Sequence, residues 1–105
     1  MIDGKVFRVG GVDYSVELVP ELHRLHQLWG QVTYQDTSIQ IEKELSPTRT
    51  NNVLIHELTH AVFNEAGFMT QDEDVVNRVA SVLHALLRDN DFSFIRETKE
   101  ADANG

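Results

Sequence analysis

Apolar and polar residues alternate without a break from Val12 to Leu18, with Val12, Tyr14, Val16 and Leu18 set between Asp13, Ser15 and Glu17. A period of two belongs to a strand with one face buried. The run before it, 6–9 (VFRV), is separated from it by Gly10-Gly11. A glycine pair in that place predicts a tight hairpin, because the favoured two-residue turns need positive φ. At 20–30 (PELHRLHQLWG) the spacing changes: Leu22, Leu25 and Trp29 share one face of a short helix that Pro20 opens and Gly30 ends. Two more alternating runs follow, 31–35 (QVTYQ) and 38–42 (SIQIE), with Asp36-Thr37 as the turn between them.

The second half reads as helical. Ser46-Pro47 is an N-cap followed by proline at the first helical position. Val53, Leu54, Leu58, Ala61 and Val62 keep the helical spacing to Ala66. Gly67 fits the left-handed position just past the helix end, which sets Phe68 against Phe63 in a Schellman ending. A second helix is predicted from about 71 to 89, and 96–105 (RETKEADANG) reads as a polar, loose tail. Strands, a short helix, strands and then two long helices make an α+β fold: a small twisted, mostly antiparallel sheet packed on two long helices. A chain of 105 residues has room for one core, so 1–95 is expected to be a single domain.

Composition removes whole classes of function. Acidic residues outnumber basic ones 17 to 9, for a formal charge of −8, and the basic residues form no run. A nucleic-acid partner is therefore not expected, since phosphate contacts need clustered Lys and Arg. No apolar run approaches the ~18 residues of a membrane span. The opening MIDGKVFRVGG has no apolar stretch of the kind a secretory signal carries. There is no cysteine, which excludes disulfides, thiolate metal ligands and a Cys nucleophile and suits a reducing, cytoplasmic setting. Oligomeric state is not readable.

The chemistry is concentrated at His56-Glu57-Leu58-Thr59-His60, an H-E-x-x-H inside the first long helix. At this composition chance supplies about 0.02 such motifs. Residues four apart stand one above the other on a helix face, so the two imidazoles can grip one Zn²⁺. Glu57 lies about 100° further around the axis, where it is badly placed to be a ligand but well placed to take a proton from a water beside the metal.

A catalytic zinc site has a third protein ligand. The metzincin continuation would need Gly at 63 and His at 66, where this chain has Phe63 and Ala66. His23 and His26, on the short helix, read as surface residues. The second helix offers a carboxylate. Glu73, Val76, Ala80, Leu83 and Leu87 form one stripe, apolar except for Glu73, and an acid there needs a partner. Ala80 is small enough to let the two long helices approach. Glu73 has a rival role, since Thr70-Gln71-Asp72-Glu73 is also a T-x-x-E capping box. Asp74 and Asp72 are alternative ligands. Asn77, one turn on from Glu73, is placed to hydrogen-bond a ligand or a substrate backbone, and His84 lies further along, read as a core-edge residue or a group behind the ligands.

The segments NNVLIHELTHAVFNEAG, 51–67, and EDVVNRVASVLHALL, 73–87, resemble the ImmA/IrrE group of small zinc metallopeptidases in its compact phage-and-prophage form, within the gluzincin class. The group's second stretch, E-x-x-A-N-x-F-A-x-x-L-L, falls here on Glu73, Val76, Asn77, Val79, Ala80 and Leu83, with the leucine pair displaced to Leu86-Leu87. The chain departs from the pattern in a short gap from His60 to Glu73, in Val79 where the group has Phe, and in lacking a proline after the leucines. The resemblance implies a zincin-like core, zinc held by His56, His60 and Glu73, Glu57 as base, and a sheet edge beside the cleft supplied by 38–42.

The expected activity is hydrolysis of a peptide bond in a protein or peptide substrate by a zinc-activated water, with Glu57 as general base. Tyr34, Tyr14, His84 and Arg78 are candidates to stabilise the oxyanion. The alternative is a small acidic protein-binding module in which the zinc site is structural or relict.

Overall fold

The Gly10-Gly11 pair turns the chain as its spacing predicts. Both glycines take positive φ, 58° and 88°, and β1 (Val6–Val9) pairs antiparallel with β2 (Val12–Val19), Val9 opposite Val12. The structure is a computed structural model, and it describes residues 2–97. After β2 come α1 (Leu22–His26), β3 (Gly30–Thr33), β4 (Ser38–Glu42), α2 (Pro47–Glu65), α3 (Glu73–Asp89) and α4 (Ser93–Arg96). The four strands form one mixed sheet in the order β1-β2-β4-β3. β1–β2 and β3–β4 are antiparallel, while β2 and β4 run parallel, Val16 opposite Ile39 and Leu18 opposite Ile41. The fold is therefore α+β, as the pattern of elements indicates.

This order corrects the expected edge. The strand at 38–42 lies inside the sheet, and Ile39 and Ile41 are fully buried with Tyr14 and Val16 in the core. The edge strand on that side is β3. α1 and β3 lie between β2 and β4 in the chain, so β4 can enter beside β2 and leave β3 outside it.

The short helix is also shorter than its apolar spacing suggests. α1 stops at Gln27, which takes a left-handed φ of 57°, and Gly30 is the first residue of β3 rather than a helix stop. Of the proposed apolar face, Leu22 is buried while Leu25 and Trp29 are exposed. The helix is held instead by Glu42. This buried carboxylate accepts hydrogen bonds from the backbone N–H of His23 at 2.8 Å and of Glu44 at 3.0 Å, which hold it below the usual carboxylate range.

α2 begins and ends as its sequence predicts. The Ser46 hydroxyl accepts from the Arg49 N–H at 3.2 Å ahead of Pro47. At the other end Gly67 has φ 96°, Phe68 N–H donates to Phe63 C=O and Gly67 N–H to Asn64 C=O, both at 3.0 Å, and the Phe63 and Phe68 rings meet at 5.5 Å. That is the Schellman ending. α2 lies across the sheet, with Leu54 and Ala61 in the core. The Tyr14 hydroxyl donates to Glu65 at 2.6 Å near the far end of α2; burial first, and then the Glu65 carboxylate, push this phenol up to about 12.

α3 rests on α2, burying Val76 and Ala80, so the layers run sheet, α2, α3. α4 reaches Arg96, the first residue of the segment read as a tail; from 98 onward that segment lies outside the described residues. Among the described residues no helix is long and apolar enough to cross a membrane.

Candidate metal centre

Two helices and an edge strand bring the predicted chemistry into one cleft of about 640 Å³. His56 and His60 stand one turn apart on α2, their rings 4.9 Å apart edge to face. Glu73 comes to them from the first position of α3. Its Oε1 lies 2.9 Å from His56 Nε2 and its Oε2 lies 3.2 Å from His60 Nε2. One ligand atom from each of the three residues falls within 4.8 Å of the others.

The start of α3 decides between the competing acids. Its N-cap is Asp72, whose carboxylate accepts from the N–H of Asp74 at 2.8 Å and of Val75 at 3.3 Å. The helix therefore begins at Glu73, two residues later than predicted, and Thr70 closes no capping box with Glu73. The Schellman exit of α2 uses 66–68, which leaves the cap to fall on Asp72. Asp74 pairs with Arg78 one turn on, at 2.9 Å on the exposed side. Asp72 and Asp74 thus have other roles, and Glu73 alone of the three acids meets the histidines.

Glu57 faces the same cleft but is outside the three-ligand group. It is 7 % exposed. Burial first, and the Glu73 carboxylate second, push its carboxyl up to about 7; a cation held by the histidines would act in the opposite sense. β3 packs closely here. A Cβ built on Gly30 would lie 2.6 Å from Val53 Cγ1 and 3.1 Å from both Cγ and Oε2 of Glu57. Gly30 is thus the residue that lets the edge strand touch the helix beside the general-base candidate. Gly30→Ala is expected to lower stability by about 1–3 kcal/mol, the usual cost of overpacking, and to displace Glu57. Urea unfolding with hydrolysis assays on the folded fraction checks both effects.

Gln71 is a site residue that sequence reading did not find. Its Oε1 lies 2.6 Å from His60 Nδ1, while its Nε2 donates to the His60 carbonyl at 3.3 Å and to the Tyr34 hydroxyl at 3.1 Å. A carbonyl can only accept, so the amide group is oriented with its own oxygen towards the ring. Nδ1 therefore carries a proton, which leaves Nε2, the nitrogen that faces Glu73, as the one that would bind a metal. The only hint in the sequence is an amide residue two before the first acid of α3, which singles out no partner. Gln71→Ala is expected to weaken zinc binding by about 10–100-fold, the usual loss when a histidine ligand loses its supporting hydrogen bond, as measured by competition with a chelating indicator.

The remaining candidates divide. Tyr34 lines the cleft, and its hydroxyl is raised above its ordinary value by burial, with Glu57 and Glu73 adding to the rise. Asn77 lines the cleft one turn from Glu73. His84 does not line it, being three turns along α3 from Glu73, about 16 Å by helical rise. Tyr14 is buried in the core, and Arg78 is engaged by Asp74, so neither lies where an oxyanion would form. His23 stacks on Trp29 with ring centroids 3.6 Å apart and is not a member of the three-ligand group.

The donor set fits zinc: two imidazole nitrogens and a carboxylate oxygen, one imidazole already oriented by Gln71. Among the described residues no fourth His, Asp or Glu joins the group. No family profile, curated protein or solved structure matches the chain.

Proposed function

We propose that this chain is a zinc-dependent metallopeptidase acting in the cytoplasm, of the kind its resemblance to the ImmA/IrrE group implies. One observation carries the reading. Glu73 reaches both histidines of the H-E-x-x-H from the neighbouring helix, while the buried Glu57 stays outside the group and faces the same cleft. Three ligands with a separate carboxylate beside them is the arrangement of a catalytic site; a structural site uses four protein ligands. This weighs against a structural metal in an acidic binding module.

His56, His60 and Glu73 would hold the zinc. When bound, it would polarise a scissile carbonyl and make a neighbouring water acidic enough to react near neutral pH. Glu57 takes the water's proton and passes it to the leaving amine, a transfer that its desolvated position favours. Gln71 keeps His60 in one tautomer. Tyr34, at the far end of the same hydrogen-bonded chain, is the hydroxyl on hand for the developing oxyanion. Among the described residues β3 pairs with β4 alone, so its other edge can bind an extended peptide by backbone hydrogen bonds.

Metal analysis of the purified protein is expected to find one zinc per chain, and a chelator is expected to remove both the zinc and any cleavage of an unstructured protein such as casein. Stoichiometric zinc with no hydrolysis of any peptide pool would leave the binding-module reading in its place.

A further inference from the structure

Among the described residues one basic side chain, Arg49, lines the cleft, and its position bears on the substrate. Arg8, Arg24, Arg78 and Arg88 each pair with a carboxylate. Arg49 has no such partner among the described residues, and it lines the cleft together with Leu28, Trp29 and Asn52. It stands on the helix face that carries Val53, His56 and His60, seven residues before His56. Seven residues of helix rise about 10.5 Å, close to three residues of an extended strand.

The direction of a bound peptide follows from how α2 and β3 lie. The start of β3 meets the first half of α2, Gly30 against Val53 and Glu57, and the residue after β3, Tyr34, meets His60. Strand and helix therefore run the same way. Antiparallel pairing is the more stable kind, and a peptide paired antiparallel to β3 would run from the His60 end towards the Arg49 end. Its C-terminal, leaving-group side would then lie at Arg49.

Building on the peptidase reading, we infer that the cleft selects peptides bearing a carboxylate about three residues to the C-terminal side of the bond cleaved, with Arg49 as its partner. The carboxylate is either an acidic side chain or a free C-terminus. Zinc held by His56, His60 and Glu73 would also attract a carboxylate, so the dependence of binding on Arg49, the basic side chain lining the other end of the cleft, is what assigns the contact. Leu28 and Trp29, both partly exposed beside it, offer apolar surface to the residues next to the carboxylate.

The test reads binding separately from cleavage, because Trp29 is the sole tryptophan of the chain. Neutral Ala/Val peptides of four to eight residues are titrated against zinc-loaded Glu57→Gln protein while Trp29 fluorescence is followed. Each is made as the free acid, as the C-terminal amide, and as the amide with one internal Glu. Because Arg49 is exposed, the contact predicts that the free acid, the Glu peptide, or both bind up to about fivefold tighter than the neutral amide at low salt. Which of them does so separates a C-terminus from a side chain. Arg49→Gln is expected to collapse the difference, Arg49→Lys to retain part of it, and added salt to reduce it. With wild-type enzyme, mass spectra of the products should place the cut about three residues before the carboxylate. Equal binding of all three forms of the peptide, a preference that survives in Arg49→Gln, or no fluorescence response to any peptide overturns the inference. A preference that depends on Arg49 without cleavage by wild-type enzyme would sustain this site and refute the peptidase instead.

Discussion

Glu57→Gln is expected to leave zinc content and fold intact while lowering hydrolysis by about 10²–10⁴-fold, the range that general base catalysis supplies. The side chain keeps its shape, so contacts with β3 at Gly30 persist. What it loses is the capacity to accept a proton. The same substitution has a second consequence of opposite sign. Glu57 is buried, and its carboxyl is raised by burial and by the Glu73 charge. A carboxyl whose folded pKa lies above its unfolded value contributes stability below the unfolded pKa, and that contribution is lost as pH rises through about 7. A neutral amide does not ionise, so the metal-free variant should be less sensitive than the metal-free parent to pH between about 4.5 and 7. Peptide hydrolysis, zinc analysis and urea unfolding at several pH values read these effects separately. A variant that binds zinc and still hydrolyses at the parental rate would remove Glu57 from the chemistry.

What could be read in the chain was local. Ser46-Pro47, Gly67-Phe68 and Gly10-Gly11 each carry their conformational signal within a few residues, and each takes the predicted form. H-E-x-x-H is local too, because four residues of helix set the spacing of its imidazoles. The misreadings were long-range. Alternation in 38–42 shows that Ile39 and Ile41 face a core, but it is the same whether the strand has one neighbour or two, so the parallel pairing of β4 with β2 left no mark. Gly30 was legible as a glycine but not as a contact, since Val53 and Glu57 reach it only in the folded molecule. At the start of α3 the capping-box pattern pointed to Thr70, whereas in the folded chain the cap is Asp72. The partners of Gln71, His60 and Tyr34, are 11 and 37 residues away.

The start of α3 also makes the choice of third ligand open to a decisive comparison. Glu73→Ala is expected to reduce zinc affinity well beyond the roughly 10–100-fold typical of changes behind the ligands, and Asp74→Ala to leave it nearly unchanged. The two acids are adjacent and both exposed, so they differ little in bulk electrostatics. They differ in where they point. Glu73 spans His56 and His60, while Asp74 is tied to Arg78 in a surface pair worth at most about 1 kcal/mol. Asp72→Ala provides the control for helix capping. It should cost about 1 kcal/mol of stability through the lost N-cap and affect zinc only as far as the first turn of α3 loosens. Ligand binding raises the melting temperature according to concentration over Kd, so the rise on adding zinc separates the three variants. It should be large for the parent and Asp74→Ala, somewhat reduced for Asp72→Ala, and nearly absent for Glu73→Ala. Should Asp74→Ala be the variant that loses this rise, the carboxylate facing the histidines has been assigned to the wrong residue, and the three-ligand geometry must be abandoned.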